Sequence, residues 1–173
     1  MSEEFLTLCL DQRKADAEAI CGFHVHPEWY SRTDFIRMRR DQYRSDPKFQ
    51  NWGVRAMVLH SSHQMIGFIG FHESPDPPHL HAYASNAVEF GYTVFPEYRQ
   101  SGFATEAVRG LMRWCIDQGK VENFIVSISP GNAASQAIAR HFGFVKVGEH
   151  MDEQDGLEEV LRLPAAQFIR SSA

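Results

Sequence analysis

Val88-Glu89-Phe90-Gly91-Tyr92-Thr93-Val94-Phe95-Pro96-Glu97-Tyr98-Arg99-Gln100-Ser101-Gly102-Phe103-Ala104-Thr105-Glu106 is the stretch on which the fold turns. Val88 to Phe95 is rich in β-branched and aromatic residues and reads as a strand. Pro96 ends it, because proline has no N–H for a sheet ladder. From residue 101 the period changes. Ala104, Ala107, Val108, Leu111 and Cys115 recur at spacings of three and four, which predicts a helix over 101–116. A strand, a tight glycine-bearing turn and a helix start leave several backbone N–H groups unpaired and aimed at one place. The helix dipole adds positive potential there, and a phosphate or pyrophosphate is the natural occupant.

The turn has neither the Gly-x-x-x-x-Gly-Lys-Ser/Thr pattern of a triphosphate loop nor the Gly-x-Gly-x-x-Gly of a dinucleotide fold. It reads Arg99-x-x-Gly102-x-Ala104, preceded by Glu89-Phe90-Gly91-Tyr92 and Pro96-Glu97-Tyr98 and followed by Thr105-Glu106-Ala107. Asn132-Ala133-Ala134-Ser135 and His141-Phe142-Gly143-Phe144 lie downstream. In this order the motifs resemble the GNAT superfamily of N-acetyltransferases, and in detail its branch of ribosomal-protein N-terminal acetyltransferases. The specific part of the resemblance covers about residues 65–163, and the first 60 residues match in layout alone.

Composition sets the bounds. With 173 residues, 43% apolar and 23% charged, the chain reads as one domain over 1–173 with one substantial core. A net charge of −5 supplies no basic footprint, which argues against nucleic acid as a partner. Cys9, Cys21 and Cys115 are odd in number, have no metal spacing and read as reduced thiols of a cytoplasmic protein. No signal peptide or long apolar run stands near Met1, so membrane insertion is not expected.

In chain order we expect a strand at Phe5 to Leu10 and a helix at Asp11 to Cys21 with Ala15, Ala19 and Ile20 inward, ended by Gly22 in a left-handed cap. A second helix, capped by Ser31 or Thr33, runs to about Arg44 with Phe35, Ile36 and Met38 on its core side. Trp29 and Tyr30 either line the acceptor pocket or anchor their loop in the core, and the core reading is preferred. Gly53 to His60 and Met65 to His72 form a hairpin, and a proline-bearing loop runs to about Ala87. Asn123 to Ser129 follows the 101–116 helix as a strand parallel to the first. Asn132 caps a helix ending at Gly143, and Val145 to Met151 with Leu157 to Leu163 close the sheet around Gln154-Asp155-Gly156. The fold class is therefore α/β, a mixed, mostly antiparallel twisted sheet of about seven strands flanked by about four helices.

The resemblance implies acetyl-CoA as cosubstrate, no metal, and an amine acceptor that is a small molecule or a protein N-terminus. It places the pyrophosphate at Arg99, Gln100, Ser101, Gly102, Phe103, Ala104 and Thr105, with Arg99 either pairing with a phosphate or solvated beside it. The pantetheine arm pairs with strand backbone at Thr93, Val94 and Phe95, and an N–H near Val94 serves as oxyanion donor. Asn132 bonds a pantetheine amide, and Ser135 serves the departing thiolate. Glu89 shares a strand face with Gly91 and Thr93 and is the candidate base, directly or through water. The alternatives are an edge-facing Glu89 that is solvated or salt-bridged, and a Ser135 that merely decorates the first turn of its helix. His24-x-His26 and His79-x-His81 lie in proline-bearing loops and read as exposed histidines before metal ligands. Glu106 and Asp155 are explained as a first-turn acid and a hairpin-turn residue. No cysteine falls in the expected site, so direct attack of the amine is favoured over an acetyl-enzyme. The rival from another class is a non-catalytic acyl-CoA-binding module, and pairing of two copies through an open sheet edge stays open.

Overall fold

The computed structural model describes residues 1–119, 121–152 and 156–171. Its contacts gather into two compact units, Met1–Gly70 with Tyr92–Ala107 and Phe71–Gly91 with Val108–Ala173. Six strands and seven helices are present among the described residues.

The first unit opens with α1 (Glu3–Leu10), α2 (Lys14–Cys21), the four-residue α3 (Pro27–Tyr30) and α4 (Thr33–Ser45). The segment expected as a strand is thus α1, and the physical reason lies in its start. The Ser2 side chain accepts the Phe5 N–H at 3.1 Å, and Glu3 and Glu4 face the positive end of the helix. Phe5, Leu6, Leu8 and Cys9 then share one buried face at helical spacing. This conversion leaves six strands where about seven were expected. α2 begins at Lys14, later than expected, and turns only Ala17 fully inward; Ala15, Ala19 and Ile20 are exposed. Gly22 caps it at φ 74°, as expected.

α4 is entered at Arg32 with no side-chain cap, so neither Ser31 nor Thr33 fills that role. Its buried residues are Ile36, Arg39 and Tyr43, one turn apart, while Met38 is 45% exposed. Tyr43 locks the helix to the next element. Its hydroxyl accepts the Val54 N–H at 2.8 Å, and a Cβ on Gly53 would fall 2.0 Å from that same oxygen. β1 (Val54–Val58) pairs antiparallel with β2 (Met65–Phe71). Trp29 and Tyr30 are buried, with Trp29 packed against Phe5 and Phe68 at ring distances of 6.3 and 5.2 Å, so both anchor the core.

β3 (Ala87–Val94) crosses from the second unit to the first. Its end joins β2 through Phe95 N–H to the Ile66 carbonyl, 2.9 Å, and its beginning through His72 N–H to the Glu89 carbonyl, 2.9 Å. α5 (Phe103–Asp117) leads to β4 (Asn123–Ile128), which is parallel to β3 as a crossover requires. α6 (Ala133–Phe142), β5 (Val145–Asp152), β6 (Gly156–Pro164) and α7 (Ala165–Ser171) complete the second unit. The strand order is β1-β2-β3-β4-β6-β5, and β3–β4 is the parallel pair of a mostly antiparallel sheet. Edge-to-face rings run through the second unit's interior, Phe71–Phe90–Phe124–Phe168, at 6.3, 6.5 and 6.3 Å. Gln154 and Asp155 of the expected hairpin turn lie outside the described residues. No described helix is long and apolar enough to cross a membrane.

Candidate active site

The turn between β3 and α5 has two left-handed residues, Gln100 at φ 61° and Gly102 at φ 82°, on either side of Ser101. Left-handed backbone costs an L-residue about 1–2 kcal/mol, so a turn containing two such positions is a specified shape. Glu106 N–H is bonded to the Gly102 carbonyl at 3.0 Å and is the first in α5 to be paired in this way. The N–H groups of Phe103, Ala104 and Thr105 therefore lie ahead of the first intrahelical bond. A Cβ on Gly102 would meet nothing within 4 Å, so within the protein the demand for glycine comes from φ. Arg99 donates Nε to the Val94 carbonyl at 2.9 Å, which ties the turn to the strand end. His26 braces the same end. It stacks on Phe95 at 4.5 Å and contacts Glu97 Oε1 through Nε2 at 2.6 Å.

The strand positions separate by direction. Phe95 gives its N–H to β2, and the Thr93 carbonyl is so close to β2 that a Cβ on Gly67 would lie 2.2 Å from it. Alternation along the strand turns the Val94 N–H and C=O the other way. The β3–β4 ladder ends at Glu89↔Ile125, five residues short of the end of β3. Of the three expected pantetheine-binding positions, Val94 alone therefore directs its backbone away from β2.

Glu89 is in the second unit, 11% exposed, and is not a solvated edge residue. Its Oε1 accepts the Ser127 hydroxyl at 2.5 Å. Its Oε2 faces His72 Nδ1 at 3.5 Å and His79 Nε2 at 3.7 Å. Burial alone would raise the carboxyl's pKa. The hydrogen bond and charge of His72, the Ser127 hydroxyl and the charge of His79 outweigh it and hold the group down at about 2. Sequence reading missed these three partners. The available signals were Ser127 inside the apolar run Phe124–Ile128 and His72 directly after the apolar run of β2.

Asn132 caps α6, its Oδ1 accepting the Ser135 N–H at 3.1 Å, so the two expected residues are in contact. Ser135 is half-buried and Asn132 exposed. Glu106 sits in the first turn of α5, where a helix favours an acid. The expected loop histidines pair with carboxylates: His24 with Glu18, His26 with Glu97, His79 with Glu73 and Glu89, and His81 with Asp76. Among the described residues no group of three or more His, Cys, Asp or Glu is placed to hold a metal ion.

Solved structures share this fold. The ribosomal-protein-S5-alanine acetyltransferase from Vibrio fischeri superposes with a TM-score of 0.64 at 16% identity, covering 95% of this chain and 90% of its own. The spermidine/spermine N-acetyltransferase SpeG from Vibrio cholerae gives 0.60 at 13%, covering 80% and 78%. A GNAT-family acetyltransferase from Bacillus anthracis gives 0.57 at 16%, covering 78% and 73%. No curated relative matches the chain in sequence. Residues 7–145 match the acetyltransferase (GNAT) domain, a span that takes in the front segment where the motifs alone are silent. The chain belongs to the GNAT acetyltransferase family.

Proposed function

We propose that this protein is an acetyl-CoA-dependent N-acetyltransferase that moves acetyl directly from the thioester to a primary amine, on a protein N-terminus or a small molecule. The observation that carries the reading is the turn at Arg99–Ala104. Its left-handed Gln100 and Gly102 and the unpaired first-turn amides of α5 suit a diphosphate. Gln100 to Thr105 hold the pyrophosphate, with Arg99 securing the turn through Val94. The Val94 N–H is the oxyanion donor, a contribution of roughly 2.7–4 kcal/mol to the barrier. Asn132 keeps Oδ1 on its helix and offers its amide N–H groups to pantetheine, while the Ser135 hydroxyl serves the departing thiolate. Glu89 is the anion toward which the ammonium proton is drawn. Family membership supports the transfer chemistry, and fold relatives named for a ribosomal-protein alanine and for spermidine or spermine support the two acceptor classes.

The test is titration calorimetry with CoA, followed by thiol release from acetyl-CoA in the presence of spermidine and of peptides with a free N-terminal alanine or serine. Binding with amine-dependent release, lowered in Ser135→Ala, is the expected result. Binding without release at any pH makes the chain an acyl-CoA-binding module. Absence of CoA binding overturns the reading.

A further inference from the structure

Pro96 bends the chain between the end of β3, with its Val94 N–H, and the turn that leads to the α5 amides. One side chain holds both sides of that bend. The ring of His26 stacks on Phe95, immediately before Pro96, at 4.5 Å and 25°. Its Nε2 meets Oε1 of Glu97, immediately after Pro96, at 2.6 Å. The other ring nitrogen fixes the proton. Nδ1 accepts the Glu28 N–H at 3.2 Å as the N-cap of α3, which assigns the hydrogen of the neutral ring to Nε2 and makes Nε2 the donor to Glu97. Histidine is not among the favoured N-caps, a role that Ser, Thr, Asp or Asn fills. Phenylalanine would supply the stack. Imidazole supplies the cap acceptor, the aromatic face and the directed N–H together.

We propose that His26 is a positioning residue that sets the angle at which β3 gives way to the cofactor turn, and with it the span between the Val94 N–H and the pyrophosphate amides. This rests on the acetyltransferase reading. The ring stands on a fixed base. Just upstream, the His24 N–H bonds the His63 carbonyl at 2.8 Å, and the His24 carbonyl takes the Met65 N–H at 2.9 Å. Just downstream, Trp29 is fully buried, gives its N–H to the His26 carbonyl at 3.0 Å and packs on Phe68 of β2. Phe95 is tied to β2 as well, through the Ile66 carbonyl. Ring, base and strand end therefore share β2 as their frame. Glu97, with Tyr98 edge-on to the ring at 6.2 Å, is where the chain beyond the bend is held to that frame. The Tyr98 N–H to the Phe95 carbonyl and Arg99 Nε to the Val94 carbonyl instead join the bend to itself.

Acetyl transfer needs both grips at once. The diphosphate and the thioester of one cosubstrate are joined by a single pantetheine arm, so a bend at the wrong angle leaves the diphosphate seated while the thioester carbonyl misses the Val94 N–H. A misplacement of about 1 Å at the reacting centre can cost about 10²-fold in rate. A diphosphate fragment that occupies the turn alone is indifferent to the angle. The charge of Glu97 acts in the opposite sense, because removing a carboxylate from the approach to an anion site favours the anion. A loss on deleting that side chain is therefore not a charge effect.

The experiment compares the wild-type protein with Glu97→Ala, Glu97→Gln and His26→Phe, the last of which keeps the stack and loses both hydrogen bonds. Acetyl-CoA turnover is followed with spermidine and with an alanine-initiated peptide. Calorimetry measures CoA against its 3′-phosphoadenosine 5′-diphosphate fragment. Glu97→Ala and His26→Phe are expected to lower kcat by about 10- to 100-fold, with fragment affinity changed less than about threefold. Glu97→Gln retains an acceptor oxygen for Nε2–H and recovers most of the loss. The double variant His26→Phe with Glu97→Ala falls no lower than the poorer single variant, since each removes the same bond. Glu97 is 50% exposed, so its variants carry the comparison if His26→Phe does not fold. A Glu97→Ala variant with the wild-type kcat overturns the proposal while leaving the acetyltransferase reading intact. Equal weakening of CoA and of the fragment also overturns it, because the pair then only keeps the turn folded. A wild-type protein that releases no thiol with either acceptor overturns both.

Discussion

Replacing Gly102 with alanine separates the two reasons a glycine can be required. In the free protein the new methyl group meets nothing within 4 Å, so the only internal cost is the positive φ of 82°. That cost is about 1–2 kcal/mol, or roughly 2–8 °C in Tm for a chain of this length. Gly22, the C-cap of α2, makes a matched control, with φ 74° and again nothing within 4 Å of a built Cβ. Gly22→Ala and Gly102→Ala should therefore melt within a few degrees of each other. If the space outside Gly102 is occupied by a pyrophosphate, only Gly102→Ala pushes that anion off the α5 amides. Losing one charge-assisted hydrogen bond there costs about 1.5–3 kcal/mol, a weakening of CoA affinity by roughly 10- to 150-fold. Differential scanning calorimetry and CoA titration on both variants give the comparison. Equal CoA affinity in the two variants would refute the argument that the turn grips a diphosphate.

Glu89 makes stability depend on pH in a definite direction. Its folded pKa of about 2 lies below the ordinary 4.5, so the stabilisation is present above about pH 4.5 and is lost as pH falls toward 2. It amounts to about 3 kcal/mol. Urea midpoints should fall with pH in that window for the wild-type protein and fall less steeply for Glu89→Gln, with Glu97 and Glu159, whose carboxyls are also held down, accounting for part of the remaining slope. Ser127→Ala removes the 2.5 Å donor to Glu89 and should cost about 1.5–3 kcal/mol near neutrality, measured by the same denaturation, with Ser127→Thr retaining most of it. Asn132→Ala deletes the α6 cap and should cost about 1 kcal/mol, or roughly 2–4 °C in Tm, with Asn132→Asp recovering stability because aspartate caps equally well.

Reading the chain by period succeeded where a segment's neighbours left it little choice. β3, α5, β4 and α6 are delimited by Pro96, Gly102, the Asn132 cap and the left-handed Gly143, all local devices whose effect does not depend on what packs above them. The front of the chain was harder. Phe5-Leu6-Thr7-Leu8-Cys9-Leu10 satisfies both a period of two and a helical face, and the Ser2 cap together with burial of Phe5, Leu6, Leu8 and Cys9 decides between them. The rotational setting of α2 and α4 depended in the same way on partners. Ile20 and Met38 are apolar yet exposed, while Arg39 is buried with its guanidinium 5.2 Å from the Phe35 ring. α7 was invisible for another reason: seven residues near the end of the chain carry too few turns to show a period.

At the candidate site, the chain's own order was enough to bring together the residues of the turn between β3 and α5, because they are consecutive and their conformation follows from glycine and helix-start chemistry. The same holds for Asn132 and Ser135, one helical turn apart. The environment of Glu89 could not be read this way. Its partners come from residues 72, 79 and 127, distant in sequence and joined by strand pairing and loop return, and none is marked by a motif. Local sequence therefore supplied the carboxylate and its strand face. Only tertiary structure decided that two imidazoles and a hydroxyl surround it, since a pKa depends on the charges and donors that folding brings near.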